Sequence, residues 1–190
     1  MNSNQAHNRL RIIGGTWRGR KLVFPTVPGL RPTPDRVRET LFNWLEPVIR
    51  GKHCLDLFAG SGALGIEAAS RGAAEVVLVD EHPQVAESLR EQLALLNAAQ
   101  VQVIQADVGH YLATASRAFD IVFLDPPFRQ GLLSGCMQQL ETHGWLAADA
   151  WIYLEMEHGL VPDIPANWTL HRSKQAGQVD YHLARRAPPG

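Results

Sequence analysis

Cys54-Leu55-Asp56-Leu57-Phe58-Ala59-Gly60-Ser61-Gly62-Ala63-Leu64-Gly65 is the stretch that decides the fold. Its first five residues read as a buried strand, and the glycines beyond let the chain turn sharply into a helix whose start a ligand can approach. Strand, glycine loop and helix in that order open a doubly wound α/β sheet. Gly60, Gly62 and Gly65 satisfy the spacing GxGxxG, which alone is a weak sign of a dinucleotide site. No Lys-Ser or Lys-Thr follows, which argues against a triphosphate loop. Asp56 is the distinguishing residue. A carboxylate just before the loop repels a pyrophosphate but suits the cationic amino group of a methionine-like moiety, which tilts the reading toward S-adenosylmethionine.

Downstream, each strand ends on an acid. The strand from Glu75 to Val79 runs into Asp80 and Glu81, and an acid at that tip can accept both ribose hydroxyls of an adenosine. Asp80 reads equally as a cap for the helix that Pro83 begins, with Val85, Leu89, Leu93 and Leu96 at helical spacing as far as Asn97. Val101 to Gln105 forms a third strand closed by Ala106-Asp107-Val108; Asp107 there can take an adenine amino group or cap a helix. A fourth, Phe119 to Leu124, is apolar except for Asp120 and leads into Asp125-Pro126-Pro127-Phe128. Prolines at 126 and 127 stiffen this segment and remove two backbone donors. A carboxylate (Asp125), a bare carbonyl (Pro126) and a flat ring (Phe128) then sit together at the carboxyl edge of the sheet. That set suits a planar amine: two acceptors for its N–H groups and a face for the attached base. The plain alternative is a strand ending in a Pro-Pro loop.

Beyond the motif the pattern predicts a helix over Leu132 to Leu140 and a strand over Trp151 to Met156. A final antiparallel hairpin follows, Trp168 to Lys174 and Val179 to Arg185, around Gln175-Ala176-Gly177-Gln178. Glu155 and Glu157 share one strand face and read as solvated or salt-bridged rather than catalytic. The tail from Ala187 to Gly190 reads as frayed.

Upstream, Arg9 to Ile13 and Thr16 to Phe24 read as a hairpin turning at Gly14-Gly15. Arg9 and Arg11 alternate with Leu10 and Ile12, giving one cationic and one apolar face. Arg18, Arg20 and Lys21 add charge around Trp17, which reads as a buried anchor. Pro25 to Pro32 is a linker. Thr33 then caps a helix with Pro34 at its first position and an apolar stripe of Val37, Leu41, Leu45 and Val48. Arg31, Arg36 and Arg38 cluster at its start.

The chain has 190 residues, 45% hydrophobic and 19% charged, which fits one soluble globular domain. Its net charge of −1 hides an asymmetry: residues 1–38 carry eight basic side chains against one acid, net +7, and the remainder is net −8. A basic end on an acidic body suggests a polyanion-binding surface, or else a solvated basic arm. Residues 1–30 read as a basic hairpin and linker, and 31–190 as the α/β domain. Met1 to His7 lacks the apolar core of a secretory signal, no apolar run is long enough to span a bilayer, and Cys54 and Cys136 read as reduced core thiols. These features point to a cytoplasmic protein. No histidine has a metal-ligand spacing, so no metal is expected.

The order Asp56-Leu-Phe-Ala-Gly-Ser-Gly, Asp80, Asp107 and Asp-Pro-Pro-Phe resembles that of class I S-adenosylmethionine-dependent amino-methyltransferases. Two more specific stretches, Arg11-Ile-Ile-Gly-Gly-Thr-Trp-Arg-Gly-Arg20 and Arg31-Pro-Thr-Pro-Asp-Arg-Val-Arg-Glu-Thr-Leu-Phe-Asn-Trp-Leu45, resemble the bacterial 16S ribosomal RNA guanine-N2 methyltransferases of the small subunit. The likeness runs from about Arg9 to Arg185. It implies a Rossmann-like, seven-stranded, mostly parallel sheet with a small N-terminal β-hairpin, and methylation of one guanine amino group in 16S rRNA. It makes residues 1–30 an RNA-contacting extension and 31–190 an S-adenosylmethionine-dependent methyltransferase domain. It implies that Asp56, Phe58, Ala59, Gly60, Ser61 and Gly62 bind the methionine part, Asp80 and Glu81 the ribose, and Asp107 with Val108 the adenine. Asp125, Pro126, Pro127 and Phe128 would form the catalytic segment, with Arg9, Arg11, Arg18, Arg20, Lys21, Arg31 and Arg36 on the RNA. The small ribosomal subunit is then the partner of a monomeric enzyme. Three alternatives stand beside it: an amino-methyltransferase acting on DNA adenine or cytosine, a small-molecule dehydrogenase, and a non-catalytic rRNA-binding assembly factor.

Overall fold

The computed structural model describes residues 8–187; the leader reading of Met1 to His7 and the last three residues of the tail lie outside them. The elements run β1 (Asn8–Arg11), β2 (Lys21–Phe24), α1 (Asp35–Leu45), β3 (His53–Asp56), α2 (Gly65–Ser70), β4 (Glu75–Asp80), α3 (Pro83–Leu96), β5 (Val101–Gln105), α4 (Val108–Leu112), β6 (Phe119–Leu124), α5 (Leu132–Thr142), β7 (Leu146–Glu157), β8 (Trp168–Ala176) and β9 (Val179–Arg186).

Seven strands form one sheet in the order β5-β4-β3-β6-β7-β9-β8. The five strands from β5 to β7 are parallel, and β9 and β8 are added antiparallel. The order reverses between β3 and β6, and the crevice at that reversal is where doubly wound sheets bind ligands. Alternation along the strands divides the interior into two cores. Cys54, Val76, Leu78, Ile121, Phe123 and Tyr153 face α1, α2 and α3, while Leu55, Val77, Val79, Val122, Leu124 and Ile152 face α4 and α5. Both faces are covered, which is why these strands read as continuous apolar runs. Asp120, the polar break in β6, sits at its start, where its carboxylate accepts the His53 N–H at 2.9 Å and meets Lys52 Nζ at 3.3 Å. Cys54 and Cys136 are buried free thiols.

β1 and β2 form a separate two-stranded sheet in which Leu10 faces Leu22 and Arg11 faces Lys21. Leu10, Ile12, Leu22 and Phe24 are buried in the α1–α3 core, and Arg9, Arg11 and Lys21 are exposed. The two-residue turn expected at Gly14-Gly15 is replaced by a longer connection over residues 12–20. Contacts to α2 hold it: Ile13 and Gly14 donate N–H bonds to the Glu67 carboxylate at 2.9 and 2.8 Å, and Trp17 N–H donates to Ser70 Oγ at 3.0 Å.

Two boundaries and one burial differ from the expectation. Helix α1 starts at Asp35 with Pro34 as its cap, and the Thr33 side chain is turned elsewhere. Arg38, placed among the exposed arginines by its neighbours, is 1% exposed and bonds the Thr33 and Arg11 carbonyls and Asp35. Strand β7 begins at Leu146 because its first residues pair with β6 across a bulge: Phe119 faces Leu146, whereas Ile121 already faces Trp151. A bulged segment breaks the two-residue alternation by which a strand is recognised.

Candidate active site

The carboxyl ends of β3, β4, β5 and β6 bring the four predicted acids to one edge of the sheet. Asp56, the last residue of β3, is 1% exposed, and its Oδ2 accepts the Gly65 N–H at 3.0 Å. This bond closes the glycine loop onto the strand below it. Gly62 has φ +80°, a conformation open to glycine, and a Cβ on Gly65 would lie 2.1 Å from Leu78 Cδ2. Asp80 clamps the same loop from β4: Oδ2 accepts Gly60 N–H and Oδ1 accepts His82 N–H, both at 2.9 Å. Asp107 is the cap of α4, taking His110 N–H on Oδ1 at 2.9 Å with its side chain 53% exposed, and Val108 beside it is buried. Glu81 is exposed.

Among the described residues Asp56 Oδ1 is buried and has no hydrogen-bond partner. An orphaned carboxylate oxygen is costly unless a ligand completes it. A cationic amino group with spare N–H donors completes it, so the residues present fit the methionine end of S-adenosylmethionine. Burial, partly opposed by the Gly65 and Phe58 N–H bonds, lifts the Asp56 carboxyl from its ordinary 3.8 to about 7. The sign follows from linkage: an acid whose folded value is raised lends stability that is complete below pH 3.8 and lost as pH rises through about 7. The melting temperature of the cofactor-free protein should therefore fall by about 5–10 °C between about pH 5 and pH 8. Asp56→Asn should flatten that slope. A wild-type melting temperature that holds level or rises over the interval would contradict the assignment.

Asp125 follows the last residue of β6 and is half-buried. Its Oδ2 accepts the Thr33 hydroxyl at 3.4 Å, which is where the expected helix cap has gone. Pro126 is buried, Pro127 is exposed, and the Phe128 ring is 41% exposed. A half-buried carboxylate and an exposed aromatic residue thus stand three residues apart in the loop after β6.

Thr33 also joins this edge to the basic hairpin. A cavity of about 330 Å³ is lined by Arg9, Arg11 and Lys21 on one side and by residues 32–35 on the other. Arg31 and Arg36 are exposed near it in sequence. Arg18 is exposed on the connection, and Arg20 is turned to α3, donating to the Leu95 carbonyl at 3.1 Å. Three of the seven predicted cations are thus gathered in one groove, and Arg20 is drawn away from it.

Two residues at this edge escaped the sequence reading. From its neighbours Thr33 reads as a helix cap, but its hydroxyl is turned to Asp125. Glu155 reads as solvated or salt-bridged, yet it is buried and accepts the Tyr153 hydroxyl at 2.9 Å. The usable signal was an acid inside an otherwise apolar strand.

A parallel sheet in this order, extended by two antiparallel strands, with a glycine loop after β3 and acids at successive strand tips, defines a Rossmann-like methyltransferase fold. Comparison with known proteins narrows the class. The model of the family described as "Conserved hypothetical protein 95" matches residues 10–185, and the chain belongs to that family. It is 53% identical over 190 residues to the ribosomal RNA small subunit methyltransferase D of Escherichia coli K12, covering 99% of this chain and 96% of that one. The protein of the same name from Haemophilus influenzae is 44% identical over 182 residues, with 94% of each covered. Among solved structures, a putative methyltransferase from Escherichia coli superposes with a TM-score of 0.88 at 53% identity, over 96% of this chain and all of that one.

Proposed function

We propose that this protein transfers a methyl group from S-adenosylmethionine to the exocyclic N2 amine of one guanine in 16S rRNA, acting as a cytoplasmic monomer on assembled or assembling small subunits. The observation that carries this is the path from Asp125 through Thr33 to the groove of Arg9, Arg11 and Lys21. It ties an amine-accepting carboxylate to a cationic face suited to phosphates, as an RNA substrate needs and a small-molecule dehydrogenase does not. The named relatives support the choice of rRNA.

Bound S-adenosylmethionine supplies a methyl group on a positively charged sulfur that leaves as a neutral thioether. The chain's own residues do the rest. Asp56 Oδ1 would hold the amino group, Asp80 the ribose, and Asp107 with Val108 the adenine edge. A guanine withdrawn from its stack enters beside Phe128, whose ring supplies the stacking face. The guanine N2 lone pair is delocalised into the ring and is a poor nucleophile until the nitrogen pyramidalises. Hydrogen bonds from N2–H to the Asp125 carboxylate and the Pro126 carbonyl favour that geometry and stabilise the positive charge growing on nitrogen. Positioning contributes much of the remaining rate, because the donor is already activated.

The deciding experiment is transfer of labelled methyl from S-adenosylmethionine to unmodified small subunits, naked 16S rRNA and duplex DNA, followed by digestion to nucleosides. N2-methylguanosine from subunits is the expected product. Label in DNA or as methyladenine would overturn the substrate. Tight cofactor binding with no transfer to any of the three would favour an assembly factor.

A further inference from the structure

A second carboxylate stands beside Asp125. Parallel pairing sets Leu124 opposite Leu154, so Asp125 and Glu155 are the next residues of neighbouring strands and share a sheet face. It is the face turned toward α1, since Phe123 and Tyr153, paired two residues earlier, lie in that core. The carboxylate of Glu155 is held by the Tyr153 hydroxyl, and that of Asp125 by the Thr33 hydroxyl. The charged and titratable groups around them are few. Asp56 approaches from β3 and Tyr181 from β9, opposite Glu155, with Trp44 of α1 stacked on Tyr181 at 5.6 Å. Arg38, the cation of α1, is committed to Asp35, Glu67 and two backbone carbonyls. Arg129, in the loop after the motif, donates its N–H to Glu157 and is exposed. Among the described residues neither Asp125 nor Glu155 has a cation within ion-pair distance.

We propose that Glu155 is a positioning residue of the transfer reaction: a buried negative charge, fixed beside Asp125 by the Tyr153 hydroxyl, that makes the Asp125 carboxylate a better acceptor for the proton the target nitrogen must lose. This rests on the amine-transfer reading above. As the nitrogen–carbon bond forms from the nitrogen lone pair, the carbon–sulfur bond breaks and sulfur keeps its electron pair. The nitrogen is left cationic, and the electrons of one N–H bond return to it as the proton passes to Asp125. An ordinary carboxylate holds a proton poorly near neutrality; one facing a second buried carboxylate holds it better. Burial first, then the charges of Glu155 and Asp56, raise the Asp125 carboxyl well above its ordinary range. Burial raises Glu155 too, opposed by the Tyr153 bond, and Tyr153 is itself shifted up and so remains a donor.

The test is a carbon-13 NMR titration of protein labelled at Asp and Glu side-chain carboxyls, in wild type, Glu155→Gln and Tyr153→Phe, beside single-turnover methyl-transfer rates across pH. In Glu155→Gln the Asp125 midpoint should fall by about one pH unit or more, and the acid limb of the rate profile should move down with it. In Tyr153→Phe, which keeps both carboxylates, the Glu155 midpoint should rise and the Asp125 midpoint should shift in response. An Asp125 midpoint unchanged in folded Glu155→Gln overturns the proposal, and so does an acid limb that stays put while the rate falls. If Glu155→Gln does not fold, an Asp125 midpoint indifferent to Tyr153→Phe overturns it. Coupled midpoints in a protein that methylates none of the three substrates would instead remove the proposed function, so the two failures are distinct.

Discussion

On the proposed function, replacing Asp125 with Ala should lower methyl transfer by on the order of 10²–10³-fold, the scale seen when one preorganised polar contact to a developing charge is removed, and should leave cofactor affinity nearly unchanged. The separation follows from the layout. Asp56, Gly60, Ser61, Gly62 and Asp80 belong to β3, β4 and the loop between β3 and α2, which are tied to one another by Asp56–Gly65 and Asp80–Gly60 bonds that do not involve Asp125. Asp125 lies on β6 and is bonded to Thr33. Asp125→Asn should fall between: its amide oxygen still accepts one N–H bond, but it brings neither the charge nor a proton acceptor of comparable strength. The measurements are single-turnover transfer and calorimetric titration with S-adenosylhomocysteine. Loss of cofactor binding in folded Asp125→Ala would place Asp125 on the cofactor. Near-wild-type transfer would remove it from the chemistry.

Much of this site was legible before the fold was known, for a local reason. Asp56, Asp80, Asp107 and Asp125 each stand at or just past the end of a short strand rich in β-branched and apolar residues, and such a strand closed by an acid can be read without knowing its neighbours. The doubly wound sheet brings those tips to one edge, so recognising the class also placed the residues. What was not legible depends on distant partners. Thr33 looks like a helix cap from its neighbours, and the contact that draws it to Asp125 spans 92 residues. Glu155 looks solvated beside Glu157 until β7 is seen to lie inside the sheet between β6 and β9. Gly14-Gly15 looks like a tight turn because nothing local shows that a carboxylate 53 residues further on receives the Gly14 N–H.

Glu67 gives the other large effect. Glu67→Ala should destabilise the protein by about 3–5 kcal/mol, or about 6–20 °C in melting temperature, the range found when one partner of a buried ion pair is removed. The side chain is 1% exposed and does several things at once: it accepts the Ile13 and Gly14 N–H bonds, takes Arg71 Nε at 2.8 Å and faces Arg38 at 3.6 Å. Truncation removes one carboxylate shared by Arg38 and Arg71 and leaves the Ile13 and Gly14 N–H groups without their acceptor, so the hairpin is held by its apolar packing and by the remaining bonds to Ser70, Ser88 and Gln92. Glu67→Gln keeps the shape and one acceptor but loses the charge, so it should cost less. Gly15→Ala attacks the same junction from the other side, because Gly15 has φ +76° and a Cβ there would lie 1.8 Å from the Ser70 carbonyl oxygen. The hairpin carries Arg9, Arg11 and Lys21, so affinity for RNA should fall with its attachment, while affinity for S-adenosylhomocysteine, which the proposed site would hold on β3, β4 and the glycine loop, should change much less. Thermal melts with RNA and cofactor titrations separate the possibilities. A melt within about 1 °C of wild type would show that Glu67 does not pin the hairpin, since far more than the energy of a surface pair should be at stake. A lowered melt with undiminished RNA affinity would show instead that the junction is as described and that RNA is bound elsewhere.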